Sequence, residues 1–566
     1  MDLDPRAILS NAVRLVERDP RSLLGDAARL AGRLGDEAYF AALCVRSGML
    51  GPQPPHRLAQ MVLRFERFGL LGGAVGQAAI RYGDRPALVD ERGQLSFRQL
   101  DERSNALANA WQERGLAPGE GVGILARNHR GFLDAVFAAG KCGARIVLLN
   151  TSFAGPQIRE VTSREETDLL VYDEEYGEAL EGVGPRRGRW RAWTDDPSAE
   201  DTIEQLIEGG NPKAPPRPGT TLRITILTSG TTGTPKGAPR SEPRSLSLIG
   251  GLLSKVPFRA REVTELSVPM FHALGFMQAM AATALGSKLV ISRRFDPAET
   301  LERLEAERAT ALVVVPVMLR RILDLGQDAL AERDLSSLRI IFVSGSALGT
   351  DLATQALERF GPVVYNLYGS TELAYATIAT PDDLKAAPGS VGKVVRGSVV
   401  KILDDSGHEA PTGVNGRIFV GNLLQFEGYT GGGGKEQIGG LLSSGDVGHF
   451  DEEGRLFIEG RDDEMIVSGG ENVFPAEVEE LLAGHCAIEE AAAIGVADQR
   501  FGQRLKAFVV LRDGETLTED EVKDYVRDNL ARYKVPGDVV FVDSLPRNQT
   551  GKVLKRELAQ PKKERA

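Results

Sequence analysis

From Pro86 to about Arg461, short apolar runs alternate with stretches of helical spacing, and this alternation restricts the fold more than any other feature. The runs Gly121–Leu125, 144–149, 311–315, Ile340–Val343 and 363–367 are each the length of one strand. Strands separated by helical stretches predict parallel sheets with helices on both faces. At 566 residues the chain exceeds one compact core, so two or more domains are expected. Past Asp462 and Asp463 the pattern turns to a compact α+β one. Residues 477–482 and 519–530 read as helices, and 491–496, 506–511 and 539–542 as extended runs. The front of the chain is helical. Leu23, Ala27, Leu30, Ala31 and Leu34 keep helical spacing, as do Leu58, Met61, Val62, Phe65 and Phe68. Arg57, Arg64 and Arg67 flank the second stripe and allow a membrane-surface reading, but packing in a core or against another subunit is the commoner use. The polar, proline-rich stretch 194–218 reads as a surface connection. The expected division is a helical extension (1–72), a large body (73–462), a small lobe (463–560) and a polar tail (561–566).

Acidic residues outnumber basic ones 79 to 68, for a net charge of -11, which argues against a nucleic-acid partner. The three cysteines, Cys44, Cys142 and Cys486, are too scattered for a metal knuckle or a disulfide framework. The N-terminus has no apolar segment of a secretory signal, and no apolar run spans a membrane, so a cytoplasmic location is expected.

The segment Leu227-Thr-Ser-Gly-Thr-Thr-Gly-Thr-Pro-Lys-Gly237 suits polyphosphate. Gly230 and Gly233 let backbone N–H groups approach phosphate oxygens; Thr228, Ser229, Thr231 and Thr232 add hydroxyl donors, and Lys236 adds a charge. It differs from the phosphate loop of nucleotide hydrolases, since Pro235 stands where a second glycine is needed. Five further segments carry chemistry: Ser344-Gly-Ser-Ala-Leu348, Asn366-Leu-Tyr-Gly-Ser-Thr-Glu372, Ser444-Gly-Asp446, the run from Gly460 to Glu479, and Pro546-Arg-Asn-Gln-Thr-Gly-Lys552. The first two follow apolar runs, and the carboxyl ends of strands are where open α/β sheets bind ligands. Tyr368 offers a flat ring for a purine, Thr371 a phosphate donor, Glu372 a hard oxygen ligand for Mg²⁺, and Asp446 two acceptors for ribose hydroxyls.

In this order and spacing the six segments resemble the acyl-adenylate-forming superfamily, over about residues 75 to 560. It includes acyl-CoA synthetases, aryl-CoA ligases, peptide-synthetase adenylation domains and firefly luciferase. The resemblance implies an α/β fold: a body of two αβ subdomains plus a distorted β-barrel, with a small mobile α+β C-terminal lobe. It implies ATP, Mg²⁺ and CoA as cofactor and co-substrates. Residue by residue, Thr231 and Glu372 would hold the metal, and Thr228 to Gly233 with Lys236 the phosphates. Gly345, Ser346, Ala347, Asn366 and Tyr368, with Gly369, Ser370 and Thr371 of the same turn, would surround AMP. Asp446 and Arg461 would take the ribose, and Asp463 matches the hinge. Ser468, Gly469 and Gly470 match the loop at the thiol channel, and Lys552 the adenylation lysine.

Pro269-Met-Phe-His-Ala-Leu-Gly-Phe-Met-Gln278 lies where such enzymes build the acid pocket, which nominates Phe271, His272 and Gly275. Amino-acid-activating relatives carry an aspartate for the substrate ammonium at the position of His272, which argues against an amino acid here. The apolar neighbours favour a medium- or long-chain fatty acid, with an aryl acid left open. No carrier-protein segment follows Lys552, so free CoA is the expected acceptor. A carrier-loading, adenylate-only ligase and a non-catalytic nucleotide-binding protein are the other classes; the latter is disfavoured by the presence of both metal candidates and both lysines. A homodimer and peripheral membrane contact through the N-terminal helices stay open. Two local departures stand out: the glycine run in Gly428-Tyr-Thr-Gly-Gly-Gly-Gly-Lys435, and Ala238-Pro-Arg-Ser241 after the phosphate loop.

Overall fold

The computed structural model describes residues 20–220, 223–228, 235–241, 245–346, 348–404, 406–461, 466–473, 475–546, 553 and 555–558. The expected α/β architecture is present. Two sheets with parallel centres form most of the body. One has six strands; Gly121–Leu125 lies between Thr167–Asp173 and Arg145–Leu148, all parallel. The other has nine; Ala311–Val314, Ile340–Val343 and Val364–Tyr368 run side by side in parallel, and antiparallel strands close the edges. Their central strands are apolar on both faces because helices cover both faces. A five-stranded, largely antiparallel sheet of residues 398–461 supplies the curled half-barrel. Register shifts between Arg417 and Phe419 and between Val447 and Gly448 bend its strands.

The small lobe carries a second five-stranded sheet, in which Gly502–Leu511 is the central strand and pairs with the edge strand Ile488–Asp498 in a long hairpin. The helices Pro475–Ala483 and Glu519–Asn529 pack on it through Val478, Leu482, Val522 and Val526. The expected boundary at Asp462 and Asp463 lies outside the described residues. The lobe touches the body at Ala531, which packs with Leu125, Val147 and Phe153, and the Arg532 N–H donates to the Ser152 carbonyl at 3.3 Å.

At the front, helices Pro20–Arg46 and Pro55–Tyr82 are continuous with the body. The second breaks at Gly69, whose φ of 72° suits glycine, and then runs uninterrupted through Gly72 and Gly73. The expected division at 72/73 therefore falls inside a helix. A Cβ at Gly72 would lie 2.7 Å from the Gly140 carbonyl carbon, so glycine is required for this helix to reach the helix Arg130–Cys142. The predicted stripe is split: Met61 and Phe68 are buried, whereas Leu58, Val62 and Phe65 are exposed. The stretch 194–218 is more than a connection, since it holds the helix Ile203–Gly209. That helix is capped by the Thr202 hydroxyl, which accepts from the Gln205 N–H at 3.2 Å, and Ile203, Leu206 and Ile207 are buried.

Candidate active site

The carboxyl ends of the parallel strands open into one continuous cavity of about 1760 Å³. Its polar end collects residues far apart in sequence: Gly345, Ser346, Asn366, the turn Tyr368 to Glu372, Lys236 and Asp446. Strand Val364–Tyr368 delivers Asn366 and Tyr368, and strand Leu441–Phe450 delivers Asp446. The Tyr368 hydroxyl donates to Asp446 Oδ2 at 2.5 Å, which fixes the ring and the carboxylate together. Glu372 is 8% exposed, and both its oxygens accept hydroxyl donors at 2.9 Å: Oε2 from Ser370 and Oε1 from Tyr429. The chain turns back at Ala374, a non-glycine residue held at φ 64°, in the sparsely populated left-handed region.

The two sequence departures acquire a physical account. The glycine run permits a tight loop, with Gly431, Gly432 and Gly433 all at positive φ and the Tyr429 N–H donating to the Gly433 carbonyl at 3.1 Å. That loop aims Tyr429 and Thr430 at the end of the phosphate segment. Thr430 Oγ1 accepts from the Gly237 N–H at 2.9 Å and donates to Glu165 Oε1 at 2.6 Å. Lys236 Nζ lies 5.4 Å from the Tyr429 ring centroid, a cation–π arrangement. Arg240, from the other departure, borders the cavity and donates to the Thr371 carbonyl. Burial pushes its guanidinium down to about 10, against the pull of Glu372. Arg240, Tyr429 and Thr430 were not nominated from sequence; the signal available was the departure itself.

Of the acid-pocket nominees, only His272 borders the cavity. Phe271 is buried behind it, with the two rings 4.4 Å apart. Gly275 is also out of the wall: a Cβ there would sit 2.2 Å from the Pro269 carbonyl oxygen, so the residue is needed for backbone packing. The helix Ala273–Leu285 that follows presents Ala273, Leu274, Phe276, Met277 and Met280 to the cavity. His272 Nε2 lies 2.7 Å from Glu471 Oε1 of the small lobe. Beside Glu471, Gly470 meets Val315 of the body and borders the cavity, while Ser468 is buried and Gly469 packs against Phe501. Sequence reasoning missed Glu471, Phe501 and Tyr533, which border the cavity from the lobe. Ser229, Gly230, Thr231, Thr232, Gly233, Ala347, Asp463 and Lys552 lie outside the described residues, as do the side chains of Thr228 and Arg461.

A family model described as AMP-binding enzyme matches residues 75–430, and one described as AMP-binding enzyme C-terminal domain matches 477–552. The chain belongs to the AMP-binding enzyme family. Among curated relatives, it is 28% identical to a fatty acid–[acyl-carrier-protein] ligase, ScoC, of Streptomyces coeruleorubidus, over 84% of this chain and 92% of that one. It is 32% identical to an indoleacetate–CoA ligase of Aromatoleum aromaticum, over 86% of this chain and 95% of that one. Among solved structures, it matches a double mutant of the o-succinylbenzoate CoA synthetase of Bacillus subtilis bound to a product analogue. That match has a TM-score of 0.76 at 26% identity, covering 86% of this chain and 98% of the other. The same enzyme in complex with its acyl-adenylate intermediate matches at 0.63, with 25% identity and the same coverage. Among the described residues no helix is long and apolar enough to cross a membrane.

Proposed function

We propose that this AMP-forming acyl-CoA synthetase activates a medium- or long-chain fatty acid. The observation that carries the acid class is the shape of the cavity: beyond His272 it continues between apolar helices, lined by Leu248, Leu252, Met277, Met280 and Ala284. A carboxylate oxygen attacks the α-phosphorus of ATP, pyrophosphate leaves, and acyl-adenylate forms. The CoA sulfur then attacks the acyl carbonyl, and AMP leaves.

In this reading Lys236 and the segment 228–234 screen the phosphates, so that two anions can meet in a site shielded from water. Gly345, Ser346, Ala347, Asn366 and Tyr368 receive adenine, and Asp446 and Arg461 the ribose. The Tyr368–Asp446 hydrogen bond supports this by placing a ring and two acceptors side by side. Lys552 serves the first half-reaction, and Ser468, Gly469 and Gly470 border the thiol's path in the second, with Asp463 as the hinge. Mg²⁺ fits the donor set: Glu372 is one hard carboxylate at the cavity wall, Thr231 is the second candidate, and this metal is commonly held by one or two carboxylates plus substrate phosphates. When bound it would neutralise phosphate charge.

An aryl acid is the second reading, favoured by the indoleacetate–CoA ligase relative. A panel of alkyl acids of increasing length and of aryl acids, assayed for CoA-dependent AMP release, separates the two. Turnover rising with alkyl length is expected. Preference for aryl acids would overturn the fatty-acid reading, and pyrophosphate exchange without CoA-dependent AMP release would identify an adenylate-only ligase.

A further inference from the structure

The cavity does not end where the family match begins. It runs past the helices Ser247–Lys255 and Ala273–Leu285 to Met49, Leu50, Leu58, Met61, Val62 and Phe65, all ahead of residue 75. Along this arm the polarity is one-sided. The charged residues among those lining the cavity come from segments 236–240, 372, 417–446 and 471, at the nucleotide end, and none comes from the N-terminal helices. On the helix Ala273–Leu285, Ala273, Met277, Met280 and Ala284 form one lining face. At the rise of an α-helix they extend over ~16 Å, the scale of a long alkyl chain. Leu58, Val62 and Phe65 recur at i, i+4 and i+7 on the opposing helix, so they share a face too. They are 53%, 49% and 36% exposed, an unusual outlay of apolar surface unless something covers it.

The extension is fixed against the pocket, not loosely attached to it. Phe40 is fully buried and fills the space that a Cβ at Gly250 would take, 2.5 Å away, on the helix Ser247–Lys255. At the start of that helix the Leu246 N–H donates to the Glu37 carboxylate at 3.1 Å, and the Ser245 hydroxyl donates to it as well. Arg396 and Asp36 pair at 2.7 Å, and the Ala260 N–H donates to the Ser47 carbonyl at 2.8 Å.

We propose that the N-terminal helices form the far wall of the acid channel, where Leu58, Val62 and Phe65 cover the distal methylenes of a long alkyl acid whose carboxylate lies toward His272. The assignment rests on the fatty-acid reading of the same site. It selects the substrate's own tail over a membrane surface because the patch is continuous with the cavity that holds the nucleotide residues.

The test uses the full chain with octanoate and hexadecanoate, read by ATP–pyrophosphate exchange and by CoA-dependent AMP release. Val62→Trp places bulk on a half-exposed site and needs no repacking of the core; Val399→Trp, on a strand away from the cavity and 50% exposed, is the control. Val62→Trp is expected to lower kcat/KM for hexadecanoate by about tenfold or more, tenfold being the low end for one methylene displaced from an apolar pocket. Octanoate kinetics and the melting temperature should stay at wild-type values. A parallel loss for both acids, an unchanged profile, or the same shift in Val399→Trp overturns the wall. Sedimentation with phosphatidylglycerol vesicles adds a second readout. Loss of vesicle binding in Val62→Trp with an unaltered chain-length profile would make the patch a membrane contact and overturn the proposal. A wild-type enzyme that exchanges pyrophosphate with aryl acids and with no alkyl acid overturns the fatty-acid reading and the wall together. Activity on alkyl acids with an unchanged Val62→Trp overturns the wall alone.

Discussion

Glu265 is fully buried in the strand Val263–Leu266, with Arg303 Nη2 3.0 Å from its Oε1. Burial pushes its carboxyl up to about 7, while Arg303 pulls the other way. A carboxyl whose folded pKa is raised binds its proton more tightly in the native chain. Its contribution to stability is therefore complete below the ordinary carboxylate pKa and is lost as pH rises toward 7. The melting-temperature difference, wild type minus Glu265→Gln, is expected to shrink between pH 4.5 and pH 8. A difference that grows over that range would show that Arg303 holds the group as an anion. At this scale residue type singles out Tyr368, Glu372 and Asp446 in the sequence, and the fold brings these three to one cavity. Packing is harder to read at this scale: Phe271 and Gly275 neighbour His272 in sequence, yet Phe271 is buried behind its ring and Gly275 sits against the Pro269 carbonyl. Arg240 could not be ranked, because its role comes from a carbonyl more than a hundred positions away in the chain, that of Thr371.

Between elements, the contact with the most specific chemistry joins the start of the helix Ala273–Leu285 to the small lobe's hairpin of Ile466–Ser468 and Glu471–Val473. The His272 and Glu471 side chains are 30% and 21% exposed, so solvent screens the pair only in part. Because the contact exists in the arrangement that brings Gly470 to the cavity, Glu471→Gln should slow thioester formation from synthetic acyl-adenylate by about three- to tenfold, as for one weakened charge-assisted hydrogen bond. ATP–pyrophosphate exchange and the melting temperature should hold. An equal loss in both half-reactions would detach the pair from lobe docking. Strands were the readable elements: Gly121–Leu125 and Ile340–Val343 stand where their apolar runs predict. The helix Ile203–Gly209 was hidden because proline and charge dominate its surroundings, and only Ile203, Leu206 and Ile207 betray a buried face.

For the whole molecule, the fold fits the product-analogue complex of one enzyme at a TM-score of 0.76 and its acyl-adenylate complex at 0.63. Just past Lys552, Val553 packs against the lobe's apolar cluster that holds Ile494 and Phe508, and Lys555 pairs with Glu479 at 3.0 Å. On the proposed alternation, Lys552→Ala should cut acyl-adenylate formation by about a hundredfold, the scale of one lost charge-stabilising donor. It should still convert supplied acyl-adenylate and CoA at the wild-type rate, and Asp463→Pro should show the reverse. Equal losses in both steps for a folded Lys552→Ala would sink the alternation. The seat of Phe40 on Gly250 has a consequence for heredity. Two positions from distant parts of the gene form one mould, so a methyl group gained at Gly250 must be answered at Phe40 or the channel changes shape. On the proposed wall, chains identical to this one over residues 75–430 but carrying a different front end would differ in their choice of acid.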